Sequence, residues 1–267
     1  MGGFIHKSGL TTTTDYSGLS VVIITLNEEK NLSSLLPGIP QEAEIVIVDS
    51  GSADQTSAVA KSYHAAFESR PFDNYASQKN YAMSRATRPW TLCLDADEHP
   101  DANLWSAIGE ILSLQPAETA FSLQRSLVFL GKKMYFGRTR DRVVRLFRSH
   151  TAAYQNEIHE TLMVDAAVKT KPLAGTLWHY SYENLEDYFK KFNHYTSLVA
   201  KARKRAHKSS PSAWIMAGRF PVEFIVRYLL KLGFLDGWQG FLWAILGSFY
   251  GLIKYAKLRE MESQGRV

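Results

Sequence analysis

Three short, continuously apolar runs punctuate the first hundred residues, and each ends in polar or acidic residues. They are Ser20-Val21-Val22-Ile23-Ile24-Thr25, Glu44-Ile45-Val46-Ile47-Val48 and Trp90-Thr91-Leu92-Cys93-Leu94. Apolar, largely β-branched runs of this length, without alternation, predict strands buried on both faces. Helices are predicted between them: one that follows Asn27-Glu28-Glu29 and stops at Pro37-Gly38, one opened by Asp54, and one over residues 74–85. Strand, helix, strand, helix, strand within about 75 residues implies a parallel sheet with right-handed crossovers. In such α/β sheets the ligand lies beyond the carboxyl ends of the strands.

The pattern changes from about Glu118. Phe121–Arg125, Arg142–Phe147 and Gly175–Tyr180 alternate like half-buried strands, expected to complete the sheet and wall an acceptor pocket. Leu185, Tyr188, Phe189, Phe192, Tyr195 and Val199 then recur at helical spacing. The chain therefore divides into a loose arm (1–18), an α/β domain (19–183) and a helical C-terminal region (184–267). Residues 1–18 hold no apolar stretch of the length a secretory signal needs.

Charge matters here through its placement. The net charge is a modest +5, but Lys201-Ala202-Arg203-Lys204-Arg205-Ala206-His207-Lys208 is a dense cationic block. It stands before a tail rich in Trp, Phe, Tyr and Leu. The longest nearly uncharged stretch of that tail, Gly237–Ile253, is about 17 residues, short of the roughly 20 that span a hydrocarbon core. Helices lying in the interface of an anionic membrane surface suit it better. The alternatives are a soluble helical hairpin or a dimer interface that makes a homo-oligomer. No nucleic-acid motif accompanies the block. A single cysteine, Cys93, excludes a disulfide within the chain and suits a reducing compartment.

The strand ends carry the candidate chemistry. In Asp95-Ala96-Asp97, two carboxylates one residue apart can converge on Mg2+ or Mn2+ bridging a diphosphate; the plainer reading is a helix cap with a solvated neighbour. Asp49 can accept from a uracil imide, and Gly51 lets the backbone approach closely; equally, Asp49 and Asp54 can serve only local backbone donors. Thr25 and Glu28 can hold ribose and base. On the helix before the third strand, Lys79 can reach a phosphate and Asn80 can tie loops together. No Walker loop or Gly-x-Gly-x-x-Gly is present to support nucleotide hydrolysis or dinucleotide redox chemistry.

Val22-Ile23-Ile24-Thr25-Leu26-Asn27-Glu28, Ile47-Val48-Asp49-Ser50-Gly51-Ser52-Ala53-Asp54 and Leu94-Asp95-Ala96-Asp97-Glu98, in this order, resemble the large inverting glycosyltransferase family two, which has the GT-A fold. The likeness covers roughly residues 20–180. Asn74-Tyr75-Ala76-Ser77-Gln78-Lys79-Asn80, Ile158-His159-Glu160 and Gly233-Phe234-Leu235-Asp236-Gly237 resemble more narrowly the bacterial branch that includes lipopolysaccharide inner-core β-glucosyltransferases.

The resemblance implies a nucleotide-sugar donor, most simply a UDP-sugar, and a lipid-linked saccharide acceptor at the cytoplasmic face of the bacterial inner membrane. Thr25, Leu26, Asn27, Glu28, Asp49, Gly51, Lys79, Asp95 and Ala96 are then the expected nucleotide-sugar contacts. Asp95, Asp97 and His159 are the expected metal ligands. Inversion needs a base for the acceptor hydroxyl; Glu160 is the choice, acting with Asp97, and Glu98 is its rival. Alternatively, the Glu157–Glu160 cluster pairs with Arg138, Arg140, Arg142, Arg145 or Arg148, or those arginines grip an anionic acceptor, since guanidinium matches phosphate geometry. The Gln-x-x-Arg-Trp segment and multiple spans of processive synthases are absent, which favours single-sugar transfer. An Asp-x-Asp phosphotransferase would carry its pair after the first strand. An inactive sugar-nucleotide-binding scaffold would show a damaged pair.

Overall fold

The computed structural model describes residues 14–155, 161–164 and 170–264. Two compact units emerge: Met1–Leu123 with Val143–Thr176, and Gln124–Arg142 with Leu177–Val267.

The first unit is α/β. Strands β1 (Leu19–Thr25), β2 (Glu44–Asp49), β3 (Ala66–Ser69) and β4 (Trp90–Asp95) alternate with helices α1 (Glu29–Leu35), α2 (Thr56–Ser62) and α3 (Tyr75–Ser84). After them come β5 (Glu98–Pro100), α4 (Ala102–Leu114), β6 (Ala120–Phe129), β7 (Lys132–Lys133), β8 (Arg140–Arg148), β9 (Ala152–Gln155), β10 (Thr161–Val164) and β11 (Lys171–His179). The sheet order is β3-β2-β1-β4-β8-β6-β11-β5, with β7 on β6 and β9 pairing β10 separately. β1 runs parallel to both β2 and β4, whereas β8 runs antiparallel to β4. The unit boundaries fall inside β6, β8 and β11.

The central strands are buried because both faces are covered. Val21, Val22, Ile23, Ile47, Val48, Leu92 and Leu94 are all fully shielded from water. Val22, Val46 and Val48 pack with Ala82, Met83, Cys93 and Phe147 in one core cluster. At roughly 1.5–3 kcal/mol per buried aliphatic side chain, this packing fixes which way the strand ends face.

Three features depart from the sequence expectation. A fourth parallel strand, β3, lies at the edge beside β2; Ala66 and Ser69 are exposed, Phe67 and Glu68 only partly buried, and the strand carries no apolar run. Helix α2 starts at Thr56, since Asp54 spends one oxygen on the Thr56 backbone N–H at 3.0 Å and the other on that of Glu29 at 3.2 Å. Helix α4, capped by Asp101 through the Leu104 N–H at 2.8 Å, was not foreseen.

The second unit is mainly helical: α5 (Leu185–Arg205), α6 (Ala213–Ile225) and α7 (Gly237–Gln264), with a π turn at Val226–Leu230 and a 3-10 turn at Gly233–Asp236. Phe129, Tyr188 and Leu246 centre one core, and Ala200, Met216, Tyr255 and Leu258 a second. The Gly-Phe-Leu-Asp-Gly segment is structural. The Asp236 carboxylate, 1% exposed, accepts the backbone N–H groups of Tyr135 and Phe136 at 3.0 and 2.8 Å. A Cβ on Gly240 would stand 1.9 Å from the Gly233 carbonyl oxygen, so α7 crosses this turn only as glycine. Among the described residues no helix is long and apolar enough to cross a membrane.

Candidate active site at the strand ends

Pairing register brings the three strand ends level: Thr25 lies opposite Asp49, and Ile24 opposite Asp95. The Thr25 hydroxyl donates to Asp49 at 2.8 Å. The Asp49 carboxylate also accepts the backbone N–H groups of Gly51 and Ser52, at 2.9 and 2.7 Å, and the Ser52 hydroxyl. Gly51 permits the turn with a φ of +96°. Burial alone would raise the Asp49 pKa; the hydrogen bonds from Ser52, Thr25 and Gly51 outweigh it and hold the carboxyl below its usual range. Every one of these contacts is to the loop itself or to Thr25. Asp49 is thus the peg that shapes the β2 loop, and contact with a base would need one of its donors to turn away.

Asn27 joins that loop from the β1 side. Its side-chain oxygen accepts the Ala53 N–H at 2.9 Å, its own N–H donates to Ser52 Oγ at 2.7 Å, and its φ is +56°. The Glu28 N–H donates to Thr56 Oγ1 at 2.8 Å, and the Glu28 carboxylate accepts from Asn31 at 2.6 Å. Leu26 is half exposed at the rim, at 51%. Beneath, the fully buried Gln78 of α3 donates to Ser50 Oγ at 3.1 Å and to the Arg70 carbonyl at 3.2 Å.

A second network surrounds Asp95. Lys79, 3% exposed, places Nζ 2.8 Å from Asp95 Oδ1 and lies 5.1 Å from the Tyr154 ring centre. Arg145, 6% exposed, donates to Asp95 Oδ2 at 2.6 Å, to Glu98 Oε1 at 2.8 Å and to the Tyr154 hydroxyl at 2.9 Å. Asn80 and Tyr154 exchange hydrogen bonds of 2.8 and 2.7 Å, which tie α3 to β9. Burial disfavours a charged Lys79, but Asp95 more than offsets it and raises the ammonium pKa. Arg145 is likewise raised well above its usual value, against its burial, by Asp95 and Glu98. Burial pushes the Tyr154 and Cys93 pKa values upward, so both stay neutral.

These contacts already engage the carboxylates of Asp95 and Glu98. Asp95 is held by two cations, which oppose a third positive charge on the same oxygens. Glu98 is fully buried, accepts the Asp95 N–H at 3.2 Å and grips Arg145, the geometry of a strut and not of a base that meets an acceptor. Ala96 is buried in the two-residue turn after β4, and Asp97, beside it, is partly exposed. Arg145 pairs with Asp95 and Glu98, and Arg138 with Glu223 at 2.8 Å. Glu157, His159 and Glu160 lie outside the described residues. Sequence reasoning missed the roles of Arg145 and Tyr154. Their available signal was an arginine at an inward position of an otherwise apolar strand end, Val143–Phe147.

The family model for glycosyl transferase family 2 matches residues 20–117, the stretch from β1 into the loop before β6. The lipopolysaccharide core biosynthesis glycosyltransferase LpsC of Rhizobium meliloti (strain 1021) is 30% identical over 252 residues, covering 90% of this chain and 91% of that protein. The chain belongs to glycosyltransferase family 2. It is an enzyme of that family, a glycosyltransferase with a GT-A-type α/β fold. An uncharacterized glycosyltransferase of Rickettsia typhi (strain ATCC VR-144 / Wilmington) is 28% identical over 264 residues, covering 93% of this chain and 89% of that protein. Among solved structures, a mannosyltransferase from Pyrobaculum calidifontis, in complex with GDP-Man and Mn2+, superposes with a TM-score of 0.47 at 15% identity, over 97% of this chain and 83% of that one.

One prediction concerns the peg of this family 2 site. Asp49→Asn keeps the side chain's shape but turns an amide NH2 toward backbone N–H donors. Leaving such groups unmatched costs about 1–3 kcal/mol. The folded-state pKa of Asp49 is lowered from 3.8, so its contribution is present above that value and lost as pH falls through the lower one. Thermal unfolding should therefore show Asp49→Asn less stable at pH 7, with the gap to wild type closing in strong acid.

Proposed function

We propose that this enzyme transfers a single sugar, with inversion, from a nucleoside diphosphate sugar, most simply a UDP-sugar, to a lipid-linked saccharide at the cytoplasmic face of the bacterial inner membrane. The observation that carries the proposal is the level arrangement of Thr25, Asp49 and Asp95 on adjacent parallel strands, with polar loops beyond them. That edge is where α/β sheets bind nucleotides. The similarity to LpsC, whose name places it in lipopolysaccharide core biosynthesis, supports an envelope saccharide as acceptor.

In the reaction, an acceptor hydroxyl loses its proton to a carboxylate, assigned from sequence to Glu160. The resulting oxygen attacks the anomeric carbon from the face opposite the diphosphate. The old C–O bond breaks and its electron pair leaves with the nucleoside diphosphate. The Asn27–Ser52 loop system shapes the nucleotide-facing rim. Lys79 and Arg145 hold Asp95 at a fixed position, their two charges matched by Asp95 and Glu98.

The residues also fit a divalent cation. No three His, Cys, Asp or Glu side chains cluster for a metal among the described residues, but Mg2+ in such sites takes one or two carboxylates and completes its shell with phosphate oxygens and water. Asp97, partly exposed at the turn, suits that part, with His159 as a further candidate ligand outside the described residues. When bound, Mg2+ or Mn2+ would neutralise charge that develops on the departing diphosphate.

The helical unit supplies the membrane reading. Trp214 is 88% exposed, Leu230 69% and Trp238 60%, with Ile215, Val222, Leu229 and Leu235 also exposed along α6, the turns and the start of α7. Large apolar side chains exposed together in this way suit an interaction site, and the cations of residues 201–208 at the end of α5 complement anionic lipid. Leu230→Glu with Trp238→Glu should leave thermal stability nearly unchanged and abolish co-sedimentation with vesicles containing phosphatidylglycerol. Unchanged sedimentation rejects the membrane reading, and concentration-dependent self-association lost in the variant would assign the surface to a second copy.

The donor reading is tested by incubating the protein with UDP- and GDP-sugars and Mn2+ or Mg2+, and following release of the nucleoside diphosphate. Release from one donor class is expected. Its absence for every donor, with a folded protein, overturns the proposal.

A further inference from the structure

The second unit contains an open cleft of about 210 Å³ whose wall is unusually cationic, lined by Arg125, Arg138 and Arg140 against a single carboxylate, Asp141. Asp141 is already committed: it grips Arg125 in a two-pronged pair of 3.1 and 2.6 Å. Glu223, from α6, holds Arg138 at 2.8 Å. Arg140 has no carboxylate partner among the described residues; its guanidinium lies 4.9 Å from the Tyr135 ring centre. Among the described residues, the cleft therefore holds one guanidinium that no carboxylate pairs, next to two that carboxylates hold in place.

The remaining wall is not that of a simple anion hole. Tyr182 and Trp243 bring two aromatic rings, with centroids 6.3 Å apart. His179 and Ser181 add a hydrogen-bonded pair at 2.9 Å, able to donate or accept. The Trp243 indole N–H is shielded from solvent and has no acceptor among the described residues, a loss of about 1–3 kcal/mol unless an oxygen reaches it. Guanidinium for an anion, hydroxyl and imidazole for hydroxyl groups, and rings for the apolar C–H face of a pyranose make one consistent ligand chemistry.

We infer that this cleft binds a saccharide bearing a phosphate or carboxylate group. The inference rests on the transferase reading, since it names the acceptor class as an anionic sugar, but its site and its readout are independent of the donor site. Lipid headgroups are a poorer fit, because the exposed apolar surface that would accompany them lies on other residues, Trp214, Leu230 and Trp238 among them.

The test is a titration of the full chain, labelled with 15N, following the indole cross-peak of Trp243 assigned with Trp243→Phe. Galactose 6-phosphate and galacturonate are the charged probes, and galactose and inorganic phosphate the controls. A saturable shift with either charged sugar, at least tenfold weaker binding of galactose and of inorganic phosphate, and at least tenfold loss in Arg140→Gln support the inference. Which charged sugar binds tells a phosphate from a carboxylate ligand. No shift with either, equal binding of galactose, equal binding of phosphate, or unchanged affinity in Arg140→Gln overturns it. Donor hydrolysis by the same wild-type sample reports separately: its absence counts against the donor reading and leaves the cleft result standing.

Discussion

Asp97→Asn should keep the fold and lose sugar transfer. The residue sits in a two-residue turn between β4 and β5, partly exposed, so an isosteric amide asks for no repacking. What the amide removes is the negative charge of the second carboxylate of the Asp-x-Asp pair, the one at the turn. Stabilising charge on a departing diphosphate is a matter of several kcal/mol, and each 1.36 kcal/mol is tenfold in rate, so turnover should fall by about 10³-fold or more. Thermal stability should stay within about 1 kcal/mol of wild type, as for most surface changes. The check is a rate assay beside an unfolding curve. Near-normal turnover would remove Asp97 from the chemistry.

The largest stability effect is expected at Arg145. Its guanidinium serves Asp95, Glu98 and the Tyr154 hydroxyl at once, and Glu98 has no exposure to water. Arg145→Met keeps bulk but strands a buried carboxylate. Breaking a buried pair in this way costs about 3–5 kcal/mol, a fall in Tm on the order of 10 °C for a chain of this size. A second substitution separates charge from packing: in Arg145→Met with Glu98→Gln the stranded charge is gone, and a good part of the lost stability should return. A double variant no more stable than the single one would mean that Arg145 contributes by packing alone. Donor binding should remain weak in both, because Asp95 has lost one of the two cations that fix it.

Much of the fold was readable from residue order because the central strands carry a strong signal. Val21–Ile24, Ile45–Val48 and Leu92–Leu94 are apolar on both faces and lie where the sheet is covered on both sides. The edge strand β3 lacks that signal, since an edge position buries little and tolerates Glu68 and Ser69. The site was readable as a set of strand ends, but its wiring was not. Asp49 looks the same in sequence whether it faces a ligand or the three loop donors of Gly51 and Ser52, and only the fold brings Thr25 onto it as a fourth. Arg145 pairs with carboxylates about fifty positions earlier in the chain, a distance over which local pattern carries no information. Of the Arg125–Arg140 cleft, the cationic run that supplies Arg138 and Arg140 was readable, but the wall was not, since it combines β6, β8, β11 and α7.

The most direct measurement is a crystal structure of the protein soaked with uridine diphosphate and Mn2+, with the ion located by its anomalous signal. Nucleotide density beside the Asn27 and Ser52 loops, with manganese bound by Asp97 and the diphosphate, is the predicted result. Manganese and nucleotide bound together at any other place, away from the ends of β1, β2 and β4, would contradict it.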